Sequence, residues 1–138
     1  MIALADTDAQ ILDCCPVMQQ LRTHLDPKDF LPKVRRQQLD GYRLVYLEDE
    51  GSIRAVAGFR VIENLASGRI LYVDDLVTDS AWRSRRYGKA LLDWLTEEAR
   101  REHCQFLELD SGVQRFDAHR FYLSNRMIIT SHHFKLKL

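Results

Sequence analysis

The chain has 138 residues, with 20 basic side chains against 20 acidic ones and a formal net charge of zero. That balance lacks the basic footprint of a nucleic-acid binder. No apolar run approaches the roughly 20 residues that cross a bilayer, and the N-terminus lacks the basic-then-apolar layout of a secretory signal. The expectation is a soluble, cytoplasmic chain with no nucleic-acid or membrane partner, folded as a single domain over residues 1–138. Cys14, Cys15 and Cys104 are odd in number and lack metal or redox spacing, so they read as reduced core or near-core thiols.

From Asp6 onward, Ile11, Leu12, Cys15, Met18 and Leu21 recur at helical spacing, with Thr7 or Asp8 as cap and Asp26-Pro27 as the close. A second helix places Phe30, Leu31, Val34 and Leu39 on one face and stops at Gly41. The period then changes to two. Tyr42–Glu48 alternates, Asp49-Glu50-Gly51 reads as a hairpin turn, and Ile53, Ala55, Ala57, Phe59 and Val61 share one face of a longer strand. A turn over Asn64–Gly68 leads into a third strand, Arg69–Val77, completing an antiparallel meander.

The next stretch carries the chemistry. After the strand come Arg83, Ser84, Arg85, Arg86, Tyr87, Gly88 and Lys89, and from Tyr87 the residues Ala90, Leu91, Trp94, Leu95 and Ala99 recur as one buried helical face. A helix start offers unpaired N–H groups and the positive end of the helix dipole, and arginines beside it add charge-assisted hydrogen bonds. The strand-loop-helix unit is thus suited to a pyrophosphate. Beyond it, Cys104–Leu109 reads as a strand returning by a right-handed crossover to lie parallel to its predecessor. Phe116–Asn125 reads as a short helix, and Met127–Leu138 alternates as a last strand able to pair with a second copy in a homodimer. His132 and His133 are neighbours on that segment, where alternation keeps them from sharing an ion, so no metal site is expected.

Two blocks, Arg85-Arg86-Tyr87-Gly88-Lys89-Ala90 and Ala118-His119-Arg120-Phe121-Tyr122, resemble motifs of the GNAT superfamily of acyl-CoA-dependent N-acyltransferases. Arg85-Arg86-Tyr87-Gly88-Lys89-Ala90 satisfies the family's Arg/Gln-x-x-Gly-x-Gly/Ala, and in the wider register Arg86 stands where the family usually has its first glycine. Ala118-His119-Arg120-Phe121-Tyr122 resembles the family's Ala-x-x-Phe-Tyr, with Arg126-Met127 in place of a closing Gly-Phe. The resemblance implies an α/β (α+β) fold: a mixed sheet of about six strands, an antiparallel N-terminal meander plus a central parallel pair splayed into a cofactor cleft, and helices on both faces.

It also implies acetyl-CoA as co-substrate and a small-molecule or protein amine as acceptor. The pyrophosphate would rest on the backbone of Arg83, Ser84, Arg85, Arg86, Tyr87 and Gly88 and on Lys89 and Ala90, and the pantetheine arm along Leu76, Val77 and Thr78. Tyr122 takes the family's general-acid position. Asp75 is favoured over Asp74 as base, because a carboxylate just before such a Leu-Val-Thr segment occurs in some aminoglycoside-modifying relatives; strand alternation sends the two to opposite faces. His24, Asp110, Ser111 and His119, with Asp74, are candidates for the acceptor side. A non-catalytic acyl-CoA-binding module is the alternative function, motivated by Arg86 and the missing Gly-Phe.

Overall fold

The computed structural model describes all of residues 1–138, which divide into two compact units, Met1–Glu108 and Leu109–Leu138. The first unit contains β1 (Ile2–Leu4), α1 (Asp8–Leu21), α2 (Pro27–Leu39), β2 (Arg43–Asp49), β3 (Ser52–Asn64), β4 (Gly68–Thr78), α3 (Tyr87–Arg101) and most of β5 (Phe106–Leu109). The sheet has five strands in the order β1-β2-β3-β4-β5, antiparallel through β4 and parallel between β4 and β5.

Local chemistry explains the boundaries. Thr7 caps α1 through a reciprocal box with Gln10, so two otherwise unpaired N–H groups are satisfied. Asp26-Pro27 does not close α1 as the sequence suggests: Asp26 caps α2, and Pro27 occupies its first turn, where a missing N–H costs nothing. The β2–β3 hairpin turns at Glu50 and Gly51, both at positive φ, which matches the twist of the flanking strands. Gly41, at φ 94°, supplies the turn out of α2 that side-chain-bearing residues resist.

One sheet face is covered by α1 and α2. Ile11, Cys14, Cys15, Met18, Phe30 and Val34 pack there on Tyr42, Leu44, Tyr46, Val56 and Val77. Cys14 and Cys15 are free buried thiols, and burial pushes Cys14 up to about 12, which makes it an inert core residue. The opposite face belongs to α3, whose Leu91 and Leu95 are fully buried and whose Trp94 meets Phe59 edge-on at 5.9 Å. A charged clamp holds the same helix down: Arg43 pairs with Glu98 at 3.0 Å, and Arg101 also pairs with Glu98. No helix is long and apolar enough to cross a membrane.

The second unit contains α4 (Phe116–Ser124). The five strands agree with the approximate count of six read from the sequence. One further expectation needs correction. Met127–Leu138 forms no strand, and Ile128, Ile129, Phe134 and Leu136 are exposed; an alternating pattern becomes a strand only where an edge takes its hydrogen bonds. In the first unit, the unforeseen β1 pairs with β2, Ile2 facing Leu47, and a segment of three residues carries too little periodicity to announce itself.

Candidate active site

The site is built around the C-terminal half of β4. The main-chain bond from Gln105 N to Arg69 O, 2.7 Å, starts the parallel pairing, and β5 ends at Leu109 while β4 runs on to Thr78. The end of β4, with Leu76, Val77 and Thr78, therefore keeps β3 on one edge and no strand on the other. Leu76 and Val77 bury their side chains, so it is their backbone that this open edge offers.

A β-bulge interrupts β4 at its middle. Gly58 faces Asp75 and Phe59 faces Val73, leaving Asp74 as the extra residue. The bulge overrides the alternation that sends Asp74 and Asp75 to opposite faces. Arg60 lies two residues from Gly58, on the same face, and grips Asp74 with Nε at 2.9 Å and Nη2 at 2.8 Å. On that same face the Tyr42 hydroxyl donates to Asp75 Oδ2 at 2.8 Å, while Arg22 donates from Nε to Asp75 Oδ1 at 2.9 Å and from Nη2 to the Asp74 carbonyl at 2.8 Å. The two carboxylates are thus served from one side, the side of α1 and α2.

Gly58 makes this possible. A Cβ there would lie 1.9 Å from the Tyr42 hydroxyl, so the tyrosine can lie over the strand only because the backbone is bare. Burial and then the adjacent Asp75 push the Tyr42 phenol well above its ordinary range, and it stays a donor to that carboxylate. Burial raises Asp74 despite the opposing hydrogen bonds and charge of Arg60. Arg22, Tyr42, Gly58 and Arg60 were not singled out from the sequence. Gly58, inside an otherwise β-forming run, was the available signal for a close approach.

Past Thr78 the chain turns through a short 3₁₀ segment, Ser80–Trp82, capped by Asp79, and enters α3. Ser84 has φ 75° and Arg86 φ 64°, ψ 17°, so both occupy the left-handed region. Arg86 is the N-cap of α3, which explains why the resembling pattern prefers glycine at this place: the conformation costs a residue with a Cβ roughly 1 kcal/mol. No side chain caps the helix. The first intrahelical bond is Ala90 N to Arg86 O, 3.0 Å, so the Ala90 amide is already used and those of Tyr87, Gly88 and Lys89 precede it. The Lys89 ammonium is engaged by Asp93 at 2.9 Å, whereas Arg83, Arg85 and Arg86 are exposed.

The remaining candidates are less engaged with one another. His24 is exposed in the turn between α1 and α2. In the second unit Tyr122 is buried on α4, where burial raises its phenol and Arg115 opposes the shift. His119 Nε2 lies 2.8 Å from the Gly112 carbonyl, Asp110 lies 3.6 Å from His133, and Ser111 Oγ is buried without a hydrogen-bond partner.

An open strand edge leading into an uncapped, arginine-flanked helix start is suited to an extended chain ending in phosphates. Comparison with known proteins identifies the family. The acetyltransferase (GNAT) family model matches residues 10–125. The N-acetyltransferase YhdJ of Bacillus subtilis (strain 168) is 41% identical over 108 residues, 78% of this chain and 76% of that one. The aminoalkylphosphonate N-acetyltransferase of Salmonella typhimurium is 41% identical over 51 residues, covering 37% of this chain and 33% of its own length. Among solved structures, the ribosomal-protein-alanine N-acetyltransferase of Brucella melitensis biovar Abortus 2308 superposes with TM-score 0.85 at 15% identity, over 100% of this chain and 99% of that one. An aminoglycoside N-acetyltransferase in complex with CoA does so with TM-score 0.85 at 10% identity, over 100% and 95%. With the motif, the fold and the family match in agreement, the chain belongs to the GNAT family of acetyltransferases.

Proposed function

We propose that the protein transfers the acetyl group of acetyl-CoA to a primary amine by direct attack within a ternary complex in the cytoplasm, with residues 1–138 working as one domain. The observation that carries this reading is the uncapped start of α3 at the end of the open β4 edge. The family match, which runs through both compact units, supports the single domain.

The amides of Tyr87, Gly88 and Lys89 would hold the pyrophosphate, with Arg83, Arg85 and Arg86 adding charge and Ser84 shaping the turn. The backbone of Leu76, Val77 and Thr78 would pair with the pantetheine arm as a strand edge pairs with a peptide, and one N–H there would polarise the thioester carbonyl. Acetyl-CoA supplies the activated acyl group. Asp75 would accept the proton that the amine loses, its carboxylate oriented by Arg22 and Tyr42. As the new C–N bond forms and the C–S bond breaks, Tyr122 would return a proton to the thiolate; a phenol raised by burial stays protonated and able to donate.

Asp74, His24, Asp110, Ser111 and His119 would border the acceptor, a small-molecule or protein amine. The exposed apolar residues Ile128, Ile129, Phe134 and Leu136 support pairing with a second copy, which sedimentation with and without residues 127–138 tests.

The activity test is thiol release from acetyl-CoA in the presence of an amine panel. Tyr122→Phe should lower turnover about 10²-fold with the KM for acetyl-CoA little changed. Saturable binding of acetyl-CoA without thiol release from any amine would make the chain a binding module instead.

A further inference from the structure

Arg54 stands apart from the other cations of the first unit. It is 6% exposed, its Nε is buried without a hydrogen-bond partner, and its one carboxylate neighbour, the exposed Glu50, lies 3.8 Å away. A buried charge so poorly compensated is costly to keep. Its surroundings suggest what it serves.

In the β2–β3 ladder Ile53 faces Glu48 and Ala55 faces Leu47, so Arg54 is the extra residue of a bulge, and bulges re-aim a side chain. The Arg54 guanidinium lies 3.8 Å from the centre of the Trp82 ring, and Arg85 lies 5.1 Å from the same centre. The Arg54 carbonyl accepts from Asp79 N at 2.8 Å, extending the β3–β4 ladder by one step into the start of the loop. Across the same hairpin, Asp49 accepts from the Tyr87 hydroxyl at 2.6 Å, at the first residue of α3. The hairpin therefore grips the loop at its beginning, middle and end.

We propose that Arg54 is a positioning residue for the proposed phosphate loop: with its guanidinium over the Trp82 ring and its main-chain carbonyl accepting from Asp79 N, it fixes the loop in the pose that presents the α3 amides to the cofactor. Its charge adds to the positive field at that helix start. This rests on the loop being the acetyl-CoA site. The cations on Trp82 are held by the face of the indole, an interaction that a planar guanidinium makes better than an ammonium.

The test measures steady-state constants and thermal unfolding for the wild type, Arg54→Met, Arg54→Lys and Trp82→Leu, with direct titration by acetyl-CoA. Arg54→Met should raise the KM for acetyl-CoA about tenfold while kcat at saturation stays within about twofold, because the loop is mis-set but the reacting groups are not. Arg54→Lys should recover only part of the loss, and Trp82→Leu, on the loop itself, should reproduce the Arg54→Met effect without adding to it in the double variant. Should Arg54→Met fail to fold, Trp82→Leu alone carries the test. An unchanged KM, or a loss of kcat and KM in step with the melting temperature, overturns the proposal while wild-type binding of acetyl-CoA stands. A wild type that does not bind acetyl-CoA removes the cofactor reading and this one together.

Discussion

The middle of β4 and the loop that follows it handle charge in opposite ways. At the bulge, each carboxylate has an arginine of its own: Asp74 has Arg60, and Asp75 has Arg22 with Tyr42 on its other oxygen. In the loop, Arg83 and Arg86 are exposed, and the helix they introduce has no cap. The first region has satisfied its polar groups from within and so holds a shape. The second has left donors unpaired, which is the condition under which an incoming anion gains most.

That contrast can be broken from either side. The largest expected effect is on the satisfied side, where Gly58→Ala should force Tyr42 off the strand and destabilise the fold by about 1–3 kcal/mol, read as a lower denaturant midpoint at constant m. An unchanged midpoint would mean that the tyrosine moves freely and the network is not rigid. Next comes Asp75→Asn, which should lower turnover while leaving the KM for acetyl-CoA little changed. A turnover within about twofold of the wild type would leave Asp75 as an anchor for Arg22 and Tyr42 only.

On the unsatisfied side, Arg86→Gly relieves a left-handed conformation and should raise stability by roughly 1 kcal/mol while tightening acetyl-CoA, as closer backbone approach outweighs one lost charge. Weaker binding would show instead that the arginine's charge is the larger contribution.

The smallest effect tests whether the rule of internal satisfaction extends to α3. Burial alone would raise the Glu98 carboxyl, but hydrogen bonds from Arg101 and Arg43 outweigh it and hold the group below the usual range. A depressed carboxylate contributes stability that is present above its unfolded value, about 4.3, and is lost as pH falls through the folded one. Glu98→Gln should therefore flatten the loss of melting temperature below about pH 4.3, and an unchanged acid slope would assign that loss to other groups.

What could be read from the sequence follows from distance along the chain. The hairpin at Asp49-Glu50-Gly51, the Thr7 cap and the face of α3 are written in adjacent residues, and each appears where its local pattern puts it. The Arg83–Lys89 stretch, the proposed phosphate seat, could be singled out because its residues are contiguous, although only the structure shows Arg86 in the left-handed region. The Arg22–Asp75 and Tyr42–Asp75 bonds join residues 53 and 33 positions apart, and nothing local to any of the three announces them. The bulge at Asp74 was equally silent, and it reversed the alternation argument for the two carboxylates. Met127–Leu138 failed in the other direction: its pattern was clear, but pattern supplies no hydrogen-bonding partner.

The most direct test of the central claim is calorimetric titration of the wild-type chain with acetyl-CoA at low and high salt. Saturable one-to-one binding that weakens as salt rises is the predicted result, since in the proposed site exposed arginines and a helix start would hold the phosphates. Absence of binding, or binding indifferent to salt, would contradict the assignment of the Arg83–Lys89 loop as the phosphate seat.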